Sequence, residues 1–529
     1  MKSQLGKSAS WVSALAALAL ALPLAASVEA AELRWGASRD IGSLDPYSYG
    51  STFTISTLNH AYEGLVRYND QLKIEPALAT SWKDISPTVR RFHLRKGVKF
   101  HDGAPFTADD VIASLTRVSD PASPLRGNLP AYQGAEKIDD FTVDIKVTEN
   151  YPLILNDLTN IFIFDKEWLV ANNALAPTDV GTGVEGYATT HANGTGPFKV
   201  VSRKPDVETV FEVNKDWWDK PKHNIDRIVF TPITSAATAV AALLSGQIDF
   251  MDRAPLQDIP RLKQSPGIQV LAGNELRTVF FLFNRTDKMV SGDAKNPFND
   301  IKVREALYRA IDIDVLQKKI MRGLSRPTGS MVAPAIPGYV PELDERFGYD
   351  PEKAKALLAE AGYPEGFSFS LVCDNDVYVN EEEICQAVSS MWARIGLKPN
   401  LDTAPTSIQT VKFEKGAFDV GILGWANEPM IDSYSILVQV AHSKTGTSGV
   451  FNWGAWKDPE VDALIDSAGK ELDRDKRLAL QSQALMTLKR NIDFLPLHQQ
   501  PMAWATGPKV MSVVQLPDNK SRHWLTVLK

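Results

Sequence analysis

The sequence predicts an α/β fold of two lobes around a cleft, and three observations carry that expectation. Stretches with two-residue apolar alternation and stretches with helical spacing alternate along nearly the whole chain, the pattern of layered α/β architecture. A length of 529 residues exceeds what one core fills and suits two or three domains or lobes. Near residue 275 strand-rich text gives way to longer helices, and after about Asn491 strand-like apolar text returns. A chain that leaves one lobe, builds a second and comes back must cross between them at least twice, which forms a cleft able to close by hinge motion.

In chain order, Lys2 and Lys7 precede the apolar run "WVSALAALALALPLAAS", which is shorter than a bilayer span needs and is interrupted by Pro23. Val28 and Ala30 satisfy the small-residue rule for cleavage, so residues 1–30 read as a signal peptide with a mature start near Ala31 or Glu32, and no cysteine nearby allows lipidation. "RRFHLRKGVKF" alternates Phe92, Leu94, Val98 and Phe100 with polar residues, a half-buried strand; "TVDIKV" and "TVFEVN" read the same way. The next stretch, "VKFHDGAPFTADDVIASL", sets His101 beside Asp102 with Asp109 and Asp110 close behind, and so resembles a metal or acid/base cluster. Its physics is simpler. Asp102-Gly103 is a turn dipeptide, Thr107 is an N-cap with Asp110 as its acidic partner, and both aspartates favour the positive end of the helix dipole. Val111, Ile112 and Leu115 continue the buried stripe, and His101 is left as a partly exposed strand-end residue. "AATAVAALLSGQIDF" is a helix ending at Gly246. In "DPEKAKALLAEAGYPEGF" Asp350 caps, Pro351 opens the helix, and Gly362 and Pro364 end it.

The composition excludes several classes. A formal charge of −7 without any Lys/Arg run argues against nucleic acid as a partner. "GTGVEG" at 181–186 spells a dinucleotide fingerprint, but loop text flanks it where a strand and a helix are required. Neither H-E-x-x-H nor G-x-S-x-G occurs and the eight histidines are scattered, so no catalytic residue, metal ligand or cofactor is expected. Cys373 and Cys385 are the only cysteines. In an exported chain the natural reading is a disulfide around a short loop, adding roughly 3 kcal/mol, with free thiols as the alternative.

"FHLRKGVKFHDGAPFTADDVIAS" also resembles the signature of the extracellular solute-binding proteins, family 5, the receptors of peptide/nickel-type ABC importers. "HAYEGLVRYN" and "PALATSW" lie upstream; "GTGPFKVVS", "NKDWWDKP", "AALLSGQIDF", "FNDIKVREALYRAIDID", "YDPEKAKALLAEAGYPEG", "FDVGILGW" and "DPEVDALIDSA" follow in that family's order. The resemblance covers nearly all of the mature chain. It implies a two-lobe periplasmic binding protein fold (type II, cluster C), with lobe I at residues 31–59, 191–275 and 491–529, an extra subdomain at 60–190 and lobe II at 276–490. It further implies a monomeric periplasmic receptor that captures a small peptide or peptide-like solute and delivers it to a membrane permease. Receptors for nickel chelate, haem, opine or oligosaccharide occur in the same family, and a secreted peptide hydrolase is the reading from another class.

The resemblance also directs attention to site residues. In "GWANEPMIDSYSIL" it implies Trp425 as an aromatic platform and Glu428 or Asp432 as the carboxylate for a ligand ammonium, with Asn427 and Tyr434 beside them. In the loop between the cysteines, Asn375 and Tyr378 are expected hydrogen-bonding contacts, while Val377 stands where dipeptide binders carry an Arg. Ser51, Thr52 and Phe53 supply hydroxyls and a ring from the first lobe, and Asn452 and Trp453 complete the expected set.

Overall fold

A computed structural model describes residues 30–529, apart from 50, 149, 179, 181, 182 and 291–294. The expected signal peptide lies outside the described residues except for Ala30, and part of the 181–186 glycine run does too. Among the described residues no helix is long and apolar enough to cross a membrane.

One mixed sheet runs through the molecule. Its ten path strands are β1 (Glu32–Ala37), β2 (Phe198–Lys204), β3 (Glu208–Val213), β4 (Arg227–Pro232), β5 (Phe250–Met251), β6 (Gln269–Phe283), β7 (Ser368–Asp374), β8 (Lys398–Ala404), β9 (Val420–Trp425) and β10 (Phe494–Thr506), in the order β8-β7-β9-β6-β10-β5-β1-β4-β3-β2. The first-lobe end holds β1 parallel to both β4 and β5, and the second-lobe end holds β7 parallel to β8 and β9. The long strands β6 and β10 join the two ends. Gln269–Asn274 of β6 pair antiparallel with Thr506–Pro501 of β10; after an irregularity at 275–277, Thr278 to Leu282 pair with Gln499 to Phe494 and also with β9. The pairing of β6 with β10 is therefore interrupted at 275–277, opposite Gln500. Phe494 to Gln499, in the segment expected as the first lobe's return, pair with Leu282 to Thr278 of β6.

Side-chain alternation along β6 builds the core on both of its faces. Val279, Phe281 and Phe283 enter one apolar cluster, and Leu276, Phe280 and Leu282 enter another, as the two-residue period of a strand requires. The first of these clusters continues along its face from Val240, Leu243 and Leu262 to Trp392 and Leu497, so one side of the hinge region is packed solid. A third cluster joins Trp35, Phe198 and Phe230 of the first lobe to Phe92, Leu115, Val143 and Phe164 of the inserted region. That insert carries an antiparallel sheet of Ala79–Ser86, Val89–Leu94, Thr142–Val147 and Tyr132–Asp139. Residues 60–62, expected to open the subdomain, pack under the main sheet; the His60 ring lies 5.5 Å from Trp35 and 5.3 Å from His523.

The 98–115 stretch forms a strand end, a turn and a helix, Ala108–Val118. Asp110 accepts from the Thr107 backbone at 2.7 Å, the return half of a capping box, and also holds the Lys166 amide at 2.9 Å. Asp109 pairs with Lys137 at 2.6 Å, on the surface. His101 has a structural task that its sequence position did not announce: Nδ1 accepts from the Gly194 amide at 3.3 Å and Nε2 lies 3.1 Å from the Gly196 carbonyl. A neutral ring is required for that, and burial lowers its pKa to about 4. Cys373 and Cys385 are disulfide-bonded, fixing the end of β7 to the helix Glu381–Ala393. Asp350 caps its helix through the Lys353 amide at 2.8 Å, and Gly362 follows it with φ +91, a conformation that favours glycine.

Candidate functional site: a charged cleft at the lobe crossing

β1 and β5 pair in parallel, Trp35 with Phe250 and Gly36 with Met251. The residues that follow each strand, Ser38-Arg39 and Asp252-Arg253, therefore leave the sheet together at its carboxyl edge, where α/β sheets present ligand sites. They line a cavity of about 350 Å³ with Ser51, Thr52 and Phe53 from the first lobe, Glu275, Arg277 and Gln500 from the crossing, Val377, Ala426 and Glu428 from the second lobe, and Asp518 to Lys520 from the returning chain. A neighbouring cavity of about 760 Å³ shares Ser38, Arg39, Asp252, Arg253, Glu275, Val377 and Asn519 with it. Among the described residues, neither lining includes a histidine or a cysteine, and no group of three His, Cys, Asp or Glu side chains is placed to hold a metal ion.

The first cavity carries four carboxylates and four cations. Glu275 takes Arg277 at 3.3 Å, Gln500 at 3.1 Å and Asn519 at 2.5 Å. Asp518 binds both amino groups of Arg522; burial would raise its pKa, but the guanidinium outweighs that and holds it low. Asp252 accepts from the Trp35 indole at 3.2 Å, and burial raises its carboxyl to about 6. Glu428 faces Lys520 across the cleft at 3.4 Å, and burial pushes its carboxyl up against that counter-ion. Arg253 is open to the cleft water yet surrounded by protein. This enclosure lowers its pKa; the carboxylates of Glu275 and Asp252 oppose that shift, and Arg39 and Arg277 add to it.

Of the residues singled out from sequence, Ser51, Thr52, Phe53 and Glu428 line the first cavity, and Asn375 and Tyr378 line the second. Ser51 caps the helix Thr52–Leu58 that presents its neighbours. Tyr378 donates to the Gly424 carbonyl at 3.3 Å with Arg277 5.7 Å from its ring. The structure does not bring the other six to either cavity. Trp425 donates to Ser435 at 3.0 Å and sits edge-on to Phe451. Asp432 accepts from the Tyr434 amide at 2.9 Å and from Gln481 at 2.8 Å, which fills it with internal partners. Tyr434 packs over Gly469, Asn427 is buried with φ +59, Asn452 ties the His442 and Trp456 carbonyls together, and Trp453 stacks on Phe413 at 4.9 Å. The aromatic and polar text after "GW" thus builds a folded loop that projects Glu428 alone. Sequence reasoning missed Arg39, Asp252, Arg253, Glu275, Arg277, Asp518 and Lys520; the signal for three of these, Arg39, Asp252 and Arg253, was their position just past an apolar strand end, in "WGASRD" and "DFMDRAP".

A bilobed α/β chain with a charged cavity where its two lobes meet defines a solute-binding protein. Residues 73–448 match the family described as bacterial extracellular solute-binding proteins, family 5 Middle, and the chain belongs to that family. It is similar to heme-binding protein A of Haemophilus influenzae, 28% identical over 492 residues that cover 88% of this chain and 86% of that protein. The dipeptide-binding protein of Escherichia coli is 27% identical over 500 residues, covering 89% of each. Among solved structures, HbpA2 from Haemophilus parasuis superposes with a TM-score of 0.78 at 26% identity, over 94% of this chain and all of that one. The type II periplasmic binding protein fold expected from the sequence holds.

Proposed function

We propose that this protein is the periplasmic receptor of an ABC importer, that it acts without catalysis as a monomer, and that it encloses a small, zwitterionic, peptide-like solute and hands it to the permease. The observation that carries this is the cavity at the lobe crossing, where first lobe, second lobe and hinge all contribute charged groups of both signs. Glu428, rather than Asp432, is the partner for a ligand ammonium: its one close counter-ion is Lys520, at 3.4 Å, whereas Asp432 is filled by Gln481 and the Tyr434 amide. The dipeptide-binding relative supports a peptide-like cargo. Guanidinium, carboxylate and hydroxyl groups of both signs suit an organic zwitterion, and among the described residues the lining offers no imidazole or thiolate to hold a bare metal ion.

Native mass spectrometry of protein purified without denaturation tests the reading. The expected result is a one-to-one complex whose released ligand is a small amine-bearing acid, and whose occupancy falls in Glu428→Gln. A released ligand lacking an amine, or cleavage products after incubation with a peptide panel, overturns it.

A further inference from the structure

We infer that Arg39 and Arg253 form an anion subsite on the first lobe that grips a carboxylate of the ligand, an inference that rests on the peptide-like reading above. Both guanidinium groups reach the junction of the two cavities, delivered there by the parallel ends of β1 and β5. Every other charge in the smaller cavity has a partner, as described above. Among the described residues, Arg39 and Arg253 have neither a hydrogen bond nor an ion pair; Arg39 only approaches the Phe53 ring, at 5.9 Å. Asp252, the nearest competitor by sequence, is taken up by the Trp35 indole.

Glu275 and Asp252 attract Arg253 without bonding to it, while Arg39 and Arg277 repel it, so two guanidinium groups with free hydrogen-bond donors share one recess, a site that a bonded anion stabilises. The planar fork of each matches a carboxylate in two-point geometry. From the second lobe Val377 lines both cavities and offers no charge, and Asp376, which lines the larger cavity alone, accepts from the Thr406 amide at 2.9 Å. The hold on the anion therefore comes from the first lobe, and the hold on the ammonium from Glu428 opposite. A ligand so bound lies across the cleft with its acid end toward the sheet.

Titration calorimetry with Ala-Ala, Ala-Ala-Ala and glutathione, each as the free acid and as the C-terminal amide, tests this on wild type, Arg39→Gln, Arg253→Gln and the double variant. Both side chains are exposed, so the unliganded variants are expected to melt with the wild type. For each free acid that wild type binds, amidation weakens binding by about tenfold to a hundredfold, and Arg253→Gln does the same to the acid while leaving the amide unchanged. The double variant then no longer distinguishes acid from amide. If wild type binds amides as tightly as acids, or the variants weaken both equally, the anion subsite falls and the receptor reading stands. If wild type binds no peptide in either form, the peptide-like reading falls and the subsite with it.

Discussion

The two walls of the cleft are built differently. In the smaller cavity the first-lobe wall is dense in charge and its groups sit at strand ends and on a capped helix, while the second-lobe wall offers one carboxylate, Glu428, on a loop, beside Ala426 and Val377. The anchors behind the walls differ as well. Behind the first, Arg117 and Asp45 form a fully buried bidentate pair at 2.7 and 2.5 Å, and Asp45 also accepts from the Tyr47 amide in the turn that leads into the Thr52–Leu58 helix. Behind the second, the Cys373–Cys385 bond fixes the chain on either side of the 375–380 loop. A wall that must hold a ligand before closure needs its charges fixed in advance; one that arrives by closing can carry fewer.

Removing an anchor is the strongest way to break the comparison. Arg117→Met leaves Asp45 buried without its counter-ion and is expected to cost about 3–5 kcal/mol of stability, read by urea unfolding. Replacing both Cys373 and Cys385 by Ala is expected to cost about 3 kcal/mol, because the 12-residue separation closes a short loop, and to loosen the second wall alone, read by hydrogen exchange over 375–380. Acid sharpens the comparison on the first-lobe side. His101 binds its proton at about 4 in the fold against 6.5 when free, so the stability it contributes is present above pH 6.5 and is lost as pH falls through about 4. The loss is about 3 kcal/mol, and a His101→Asn protein is expected to show a flatter acid limb in a pH series of melting temperatures. The smallest effect concerns the seam between the walls. Tyr68 and Asn156, both from the insert, each donate to the Met430 carbonyl of the second lobe at 2.7 Å. Tyr68→Phe removes one of these bonds, worth about 0.5–1.5 kcal/mol, and is expected to speed ligand release up to tenfold in stopped flow.

Architecture was legible in the sequence where the cause is local. Alternation marks strands whatever surrounds them, Asp350 and Gly362 mark helix ends, and Thr107 with Asp110 marks a helix start, so the family and its α/β lobes were readable. The candidate cleft was only partly so. Glu428 and Asp432 are four residues apart in one loop, and nothing in that text says that Gln481, almost fifty residues on, fills one and not the other. Arg39 and Arg253 are separated by over two hundred residues and meet only because β1 and β5 are parallel neighbours. Strand order is a property of the whole sheet, and a linear reading of residue types does not contain it. Likewise His101 looked like chemistry beside Asp102, and its real partners, Gly194 and Gly196, come from a distant turn.

The strands β6 and β10 run as hydrogen-bonded neighbours through the crossing, with a continuous apolar cluster on one face, while Glu275, Arg277 and Gln500 line the cleft. Strands bonded edge to edge resist sliding past one another, and the filled face opposes backward bending, so the closure proposed for this receptor has one easy direction, toward the open side. Groups on the pivot travel least during that stroke. A solute that leans on the pivot and on the first-lobe arginines keeps its footing from encounter to enclosure, and only Glu428 has to swing into reach. On the binding mode proposed above, recognition is separated in time: most of the acid end would be read while the jaw is open, and the amine checked last, by whether the stroke completes.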